Sequence, residues 1–94
     1  MVDFSAFVPE DGLPIYLQII RHVKRAIAAG TVQAGDELPS RRVLSAQLGV
    51  NPNTVQKAYK LLEDEGIIPS LIHIYTKHTT LLYSYYTLEL LGSF

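Results

Sequence analysis

The 94-residue sequence contains no cysteine, and this absence removes several kinds of chemistry at once. Without thiols there is no disulfide framework, no thiolate zinc site and no cysteine nucleophile. A glycine-rich phosphate loop is also missing, and no pair of carboxylates lies in an apolar stretch. The three histidines, His22, His73 and His78, are not at a metal-ligand spacing. The sequence therefore predicts a protein that is not an enzyme and that uses neither a metal ion nor a cofactor.

Long hydrophobic runs are absent as well. No window reaches the roughly 18 apolar residues of a membrane-spanning helix, and the first residues lack the basic start and apolar run of a secretory signal. The composition is that of a globular protein, with 48% hydrophobic and 18% charged residues. This length allows one domain and an appended element, because domains have about 100 to 200 residues. We expect a soluble, cytoplasmic protein with no membrane partner.

Positive charge is concentrated in one part of the chain. The formal net charge is −1 at pH 7, yet residues 14–62 carry seven cationic side chains against two acids. The seven cations are Arg21, Lys24, Arg25, Arg41, Arg42, Lys57 and Lys60. Three acids, Glu63, Asp64 and Glu65, follow this segment, and we interpret them as a solvated cluster at a helix end that repels DNA phosphates. A local basic face is typical of a phosphate-binding surface, and the alternative is an ordinary solvated helix surface.

The first predicted helix extends from Pro14 to Ala29. Proline is tolerated in a first helical turn, and Gly30 suits the position after the last turn. Five residues at helical spacing form its apolar face, namely Tyr16, Ile19, Ile20, Val23 and Ile27. The connector over residues 31–38 contains a turn signal and has room for one brief strand.

Two shorter helices follow, and each has its own capping residue. Ser40 caps a helix that runs to Leu48, and Asn51 caps a helix that runs towards Gly66. The apolar stripe of the second helix is Val43, Leu44 and Leu48. The stripe of the third helix is Val55, Ala58, Tyr59 and Leu62, at positions i, i+3, i+4 and i+7.

Two capped helices joined by the short turn at residues 49–51 predict a helix-turn-helix unit. In such a unit the N-terminal end of the second helix enters the major groove of DNA. The polar residues at that end are Asn53, Thr54, Gln56 and Lys57. Amides pair with adenine, threonine contacts a thymine methyl or a phosphate, and Lys57 and Lys60 can meet guanine or phosphates. The alternative is a solvated polar face on a helical hairpin.

Residues 38–59, LPSRRVLSAQLGVNPNTVQKAY, closely resemble the signature of GntR-type transcriptional regulators. The match continues through residues 62–68, and the upstream motifs PIYLQI (14–19) and GDELPS (35–40) also fit, so the resemblance covers about residues 12–68. The NPNTV form of residues 51–55 is most similar to the YtrA-type subfamily. That subfamily consists of short one-domain repressors with a brief helical dimerisation tail.

The resemblance implies a role in DNA binding for particular residues. Arg42 corresponds to an arginine that contacts the DNA backbone or a guanine, and Ser40 both caps its helix and can meet a phosphate. Many relatives have guanine-reading arginines where this chain has Pro52 and Gln56, which shifts the predicted preference towards bases read by amides. The predicted DNA-binding residues are Ser40, Arg41, Arg42, Asn51, Asn53, Thr54, Gln56, Lys57 and Lys60.

Residues 69–94 form a different kind of sequence, with Lys77 and Glu89 as their charged residues. Residues 69–80 contain neither the glycines nor the arginine of the family's wing, so we predict a degenerate or missing wing. The tail is either a dimerisation element or a truncated or frame-shifted end, and helix is favoured over strand for residues 79–91. The residues predicted to form a self-contact are Leu81, Leu82, Tyr85 and Leu88.

The predicted fold is thus mainly α, with a winged-helix-like helix-turn-helix domain over residues 1–68 and an apolar C-terminal tail over 69–94. We predict a sequence-specific transcription regulator that binds double-stranded DNA and acts as a homodimeric repressor. Two alternatives stay open: the N-terminal DNA-binding part of a larger MocR-type regulator, and a protein-interaction module that has lost DNA binding. No residue pattern indicates an effector ligand.

Overall fold

The computed structural model describes residues 2–32, 35–68 and 79–80. Its elements in chain order are α1 (Ile15–Ala28), β1 (Glu37–Leu38), α2 (Arg41–Leu48), α3 (Pro52–Asp64) and β2 (Thr79–Thr80). β1 and β2 pair antiparallel, with Glu37 opposite Thr80 and Leu38 opposite Thr79. The three predicted helices and the brief strand in the connector are confirmed. No helix among the described residues combines the length and the apolar character needed to cross a lipid bilayer.

The pairing of β2 with β1 bears on the predicted tail. The helix expected for residues 79–91 is wrong at its first two residues, because Thr79 and Thr80 form a strand. Threonine is β-branched and suits an extended backbone, and β1 supplies a partner for its peptide groups. The remainder of that helix lies outside the described residues. So do the predicted self-contact of Leu81, Leu82, Tyr85 and Leu88 and the segment 69–78 with its predicted wing.

The core lies where α1 and α2 pack against α3. The apolar stripe predicted for α3 is confirmed, since all four of its residues are fully buried. In the α1 stripe Tyr16 is half-buried and the other four residues are buried. The hydroxyl of Tyr59 donates a hydrogen bond to the carbonyl oxygen of Pro39 at 2.7 Å, which supplies the partner that a buried polar group needs. Burial also raises the pKa of Tyr59 far above its ordinary value.

The stripe predicted for α2 is only partly right. Leu44 is buried and Leu48 is half-buried, but Val43 is 52% exposed. Ser45 is buried instead, and its hydroxyl donates to the carbonyl oxygen of Arg42 at 3.0 Å. Among the described elements α2 packs only against α3. A single neighbour covers one narrow side of a helix, and successive residues are about 100° apart around the axis, so Val43 faces solvent beside a buried Leu44.

Residues 2–10 pack across α1 and extend the core beyond the three helices. Val2 and Phe4 are buried, and the backbone N–H of Val2 donates to the carbonyl oxygen of Glu37 at 2.7 Å. Phe4 stacks on the ring of His22 with 4.6 Å between ring centres. Nε2 of His22 lies 2.7 Å from the carbonyl oxygen of Asp3. The segment therefore connects α1 with the strand β1.

Gln18, in α1, forms hydrogen bonds with the end of the N-terminal segment. Its buried side-chain amide donates to the carbonyl oxygens of Glu10 and Leu13, at 3.0 and 2.7 Å. Its amide oxygen accepts from the backbone N–H of Glu10 at 2.8 Å. All the polar atoms of this buried amide thus have partners, as burial of a polar group requires.

Candidate nucleic-acid interface

The turn between α2 and α3 is set by Gly49 and Asn51. Gly49 has a φ of 67°, in the left-handed region that glycine adopts without a steric penalty, and it ends α2. The side-chain oxygen of Asn51 accepts from the backbone N–H of Asn53 at 2.8 Å, and Pro52 begins α3. Asn51, Pro52 and Asn53 are all exposed. The partially positive end of the α3 dipole is thus capped and open to solvent.

The predicted DNA-binding residues differ in how far they are accessible. The exposed ones are Arg42, Asn51, Asn53, Lys57 and Lys60, and the half-buried ones are Arg41, Thr54 and Gln56. Ser40 is 4% exposed, and its hydroxyl oxygen accepts from the backbone N–H of Val43 at 3.2 Å. The capping role predicted for Ser40 is therefore confirmed, while its contact with a phosphate stays a prediction.

Gln56 is half-buried, like Thr54, and its side-chain amide is partly covered. Its amide oxygen is buried and has no hydrogen-bond partner among the described residues. A base edge is read by a glutamine when both the oxygen and the nitrogen of the amide face the groove. The Gln56 side chain must therefore rotate outward to read a base. This rotation is favoured because the amide oxygen, which has no hydrogen-bond partner among the described residues in its buried position, would gain one.

Lys57 has a neighbour that the sequence patterns do not indicate. Its ammonium lies 4.1 Å from the centre of the Tyr16 ring, in the first turn of α1. This distance is well within the range of a cation–π contact. The two residues are 41 positions apart in the chain, so only the packing of α1 on α3 brings them together.

Within the part of the chain that the structure describes, Arg21, Lys24 and Lys60 form ion pairs with acids. Their ion pairs are Arg21–Glu10 (3.2 Å), Lys24–Glu65 (2.6 Å), Lys60–Glu63 (2.9 Å) and Lys60–Asp64 (3.0 Å). Asp64 and Glu65 are exposed, as predicted, and Glu63 is half-buried, but all three acids are paired with lysines. The hydrogen bonds from Lys60 to Glu63 and Asp64 raise the pKa of Lys60 above its ordinary value. Arg25, Arg42 and Lys57 have no acid within ion-pair distance among the described residues.

The charges consequently differ between the two ends of α3. This helix of 13 residues is about 20 Å long. The exposed polar residues and the ammonium of Lys57 lie in its first half, whereas the ion pairs of Glu63, Asp64 and Glu65 lie at its end. An anion is favoured at the first end by both the dipole and the side chains. In residues 2–32 and 35–68, no three His, Asp or Glu side chains are grouped so that they could hold a metal ion.

The sequence pattern of the family described as "Bacterial regulatory proteins, gntR family" matches residues 15–71. This chain belongs to the GntR family. The match covers the three helices and the turn between α2 and α3, and it confirms the resemblance seen in the sequence motifs. The family description is that of regulatory proteins, and the relatives that match this domain are transcription regulators.

Individual GntR relatives agree with this assignment. The chain is 51% identical over 63 residues to the HTH-type transcriptional repressor YtrA of Bacillus subtilis (strain 168), which is 67% of this chain and 48% of YtrA. The chain thus spans about half the length of this relative. Among solved structures it is similar to a GntR family transcriptional regulator from Listeria monocytogenes, with a TM-score of 0.72, 36% identity and coverage of 90% of this chain and 72% of that one.

A second solved structure contains DNA. The chain is similar to S. agalactiae BusR in complex with its busAB-promotor DNA, with a TM-score of 0.62 and 27% identity. This similarity covers 92% of the chain and 38% of BusR. Together with the Listeria regulator, it confirms the predicted mainly helical class with little strand.

Proposed function

We propose that this chain is a sequence-specific DNA-binding unit of a transcription repressor that acts as a homodimer. α3 is the recognition helix, and its capped N-terminal end enters the major groove. Asn53, Gln56 and Lys57 reach base edges, whereas Arg41 and Arg42 at the start of α2 contact phosphates. The observation that carries the proposal is the asymmetry of α3, which has a buried stripe, an exposed polar first half and ion-paired acids at its other end.

The relatives support the two parts of this proposal separately. BusR is similar in structure and is in complex with promoter DNA, which supports DNA as the ligand. YtrA is a repressor and is 51% identical over the matched residues, which supports repression. We propose a dimer because two linked recognition helices about 34 Å apart can reach successive major grooves of a two-fold site. We assign the self-contact to Leu81, Leu82, Tyr85 and Leu88.

The remaining residues of the interface have lesser roles in the proposal. Asn51 caps α3 and Thr54 lies in its first turn, and both position the helix on the DNA backbone. Ser40 acts first as the cap of α2. Lys60 contributes little, because Glu63 and Asp64 already neutralise its ammonium.

The salt dependence of binding to a mixed-sequence DNA duplex tests the proposal. Each phosphate that the protein neutralises adds about −0.9 to the slope of log K against log salt concentration. We expect a steep slope for the wild-type chain, and for Arg42→Ala a slope that is smaller by about 0.9 per chain. The matched control is Arg21→Ala. It removes an arginine that is already paired with Glu10 and should leave the slope unchanged.

A flat slope for the wild-type chain would contradict DNA binding through phosphates and would favour the protein-interaction alternative. Equal changes of slope for Arg42→Ala and Arg21→Ala would contradict the placement of the phosphate contacts at the start of α2. Fluorescence anisotropy at several salt concentrations measures both quantities.

A further inference from the structure

We propose that Tyr16 of α1 is a positioning residue for DNA recognition, because its ring restrains the Lys57 ammonium on the recognition helix. The inference rests on the proposed function and adds to it a residue from outside the helix-turn-helix unit. Tyr16 itself need not contact DNA. Its effect on binding passes through Lys57.

The contact joins the packed ring of Tyr16 to the exposed, flexible side chain of Lys57. Tyr16 is half-buried and packs against the hydrophobic core, so its ring has a defined position. Lys57 is exposed in the second turn of α3, and its ammonium lies 4.1 Å from the ring centre. The negative face of an aromatic ring attracts a cation at this distance. Lys57 is therefore ordered by an element other than its own helix.

The packing of α1 along α3 fixes this contact at the DNA-binding end. Tyr16 meets Lys57, and eight residues further along both helices Lys24 meets Glu65 at 2.6 Å. The two contacts follow the same order in α1 and α3, so the two helices run in the same general direction. The first turn of α1 is thereby placed beside the first half of α3, where the exposed polar residues lie.

The chemistry of the partner distinguishes Lys57 from Lys60. Both lysines are exposed on α3, but Lys60 binds two carboxylates that cancel its positive charge. The Tyr16 ring carries no net charge, so Lys57 keeps its full charge and its N–H donors for a phosphate or a guanine. A lysine has a flexible stem, and ordering it on binding costs entropy. A ring that already restrains the ammonium reduces that cost, as preorganisation does in general.

A double-mutant cycle tests the inference with the full chain and a fluorescently labelled mixed-sequence DNA duplex. The variants are Tyr16→Leu, which removes the ring, Tyr16→Phe, which keeps it, and Lys57→Met, which removes the cation. We expect Tyr16→Leu to weaken binding about two- to fivefold, the range of an exposed cation–π contact. Tyr16→Phe should bind as the wild type does. In the Lys57→Met background, Tyr16→Leu should change the affinity no further.

The outcomes separate this inference from the proposed function. Equal loss from Tyr16→Leu in both backgrounds would show that Tyr16 acts without Lys57 and would overturn the inference alone. Equal loss from Tyr16→Phe and Tyr16→Leu would overturn it too, in favour of a direct contact through the hydroxyl. Absence of salt-dependent binding by the wild-type chain would instead overturn the proposed function, and the inference with it.

A second substitution keeps the test decisive if Tyr16→Leu fails to fold, as circular dichroism would reveal. Tryptophan offers the strongest cation–π face, so Tyr16→Trp should bind at least as tightly as Tyr16→Phe when Lys57 is present. In the Lys57→Met background the two variants should bind equally. A difference that persists in that background would overturn the inference.

Discussion

Arg42 and Gln56 represent two kinds of contact at the scale of single residues. Arg42 is exposed on α2 and is free to meet a phosphate, which has the same charge in every DNA sequence. Gln56 is half-buried on α3, and it contributes to specificity only after its buried amide oxygen turns outward. The first residue should therefore govern affinity for any duplex, and the second should govern the choice among duplexes.

These roles predict different losses for two alanine variants. Arg42→Ala should weaken binding to every DNA sequence, whereas Gln56→Ala should cost roughly 1 to 3 kcal/mol on a preferred sequence and little on a scrambled one. Selection from a random DNA pool supplies the preferred duplex, and titration against that duplex and its scrambled form measures both losses. If Gln56→Ala loses equally on the two duplexes, Gln56 does not read a base.

At the scale of elements, the N-terminal cap of α3 combines two properties that can be separated. The Asn51 side chain accepts a hydrogen bond at 2.8 Å from Asn53, and it lies exposed on the proposed DNA-binding face. A cap stabilises the helix whether the oxygen belongs to an amide or a carboxylate. A phosphate, however, is repelled by a carboxylate at that position.

Two substitutions of Asn51 should therefore behave differently. Asn51→Ala should lower the free energy of unfolding by about 1 kcal/mol, because the cap is lost. Asn51→Asp should keep the stability, since aspartate caps as well as asparagine, and yet weaken DNA binding through its negative charge. Urea unfolding and DNA titration measure the two effects. An Asp variant that binds DNA as tightly as the wild type would place Asn51 away from the phosphates.

The elements also differ in how well the sequence predicts them. α3 was predictable in full, because the Asn51 cap, the glycine at position 66 and four apolar residues at one spacing agree with each other. In α2 the spacing of apolar residues wrongly predicted that Val43 is buried. A helix of eight residues has too few apolar positions to define which side faces its single neighbour among the described elements. Residues 2–10 gave no periodic signal, because their burial depends on contacts with α1 and β1.

The candidate interface was predictable to the same uneven degree. The polar residues at the start of α3 follow from local spacing and capping, and the structure places them at an exposed helix end. The ion pairs of Lys60 with Glu63 and Asp64 could be predicted, because these acids lie three and four residues after Lys60 on the same helix. The contacts Tyr16–Lys57 and Lys24–Glu65 were not, because each joins residues that are 41 positions apart.

At the scale of the whole molecule, the proposed dimer depends on the apolar residues of the tail. Replacing both Leu82 and Leu88 with glutamate would place charges in the proposed self-contact, where burial of an unpaired charge is costly. We expect the wild-type chain to sediment as a dimer and the double variant as a monomer that binds DNA more weakly, because the two recognition helices are no longer linked. An unchanged dimer in the variant would rule out this self-contact.

The control for that experiment is Val8→Glu. Val8 is 76% exposed in the N-terminal segment, so a charge there should change neither the sedimentation nor the affinity for DNA. Loss of the dimer in this control would indicate that the effect comes from net charge and not from the tail.

The buried N-terminal residues mean that the family pattern matches a smaller part of the chain than the part that forms the core. The family match begins at residue 15, whereas Val2 and Phe4 belong to the core and Val2 binds the backbone of β1. Each such side chain stabilises a domain by about 1.5 to 3 kcal/mol, a substantial share of a total of about 5 to 15 kcal/mol. A chimeric regulator that borrows this DNA-binding module should therefore include residues 2–14 as well as the residues that match the family.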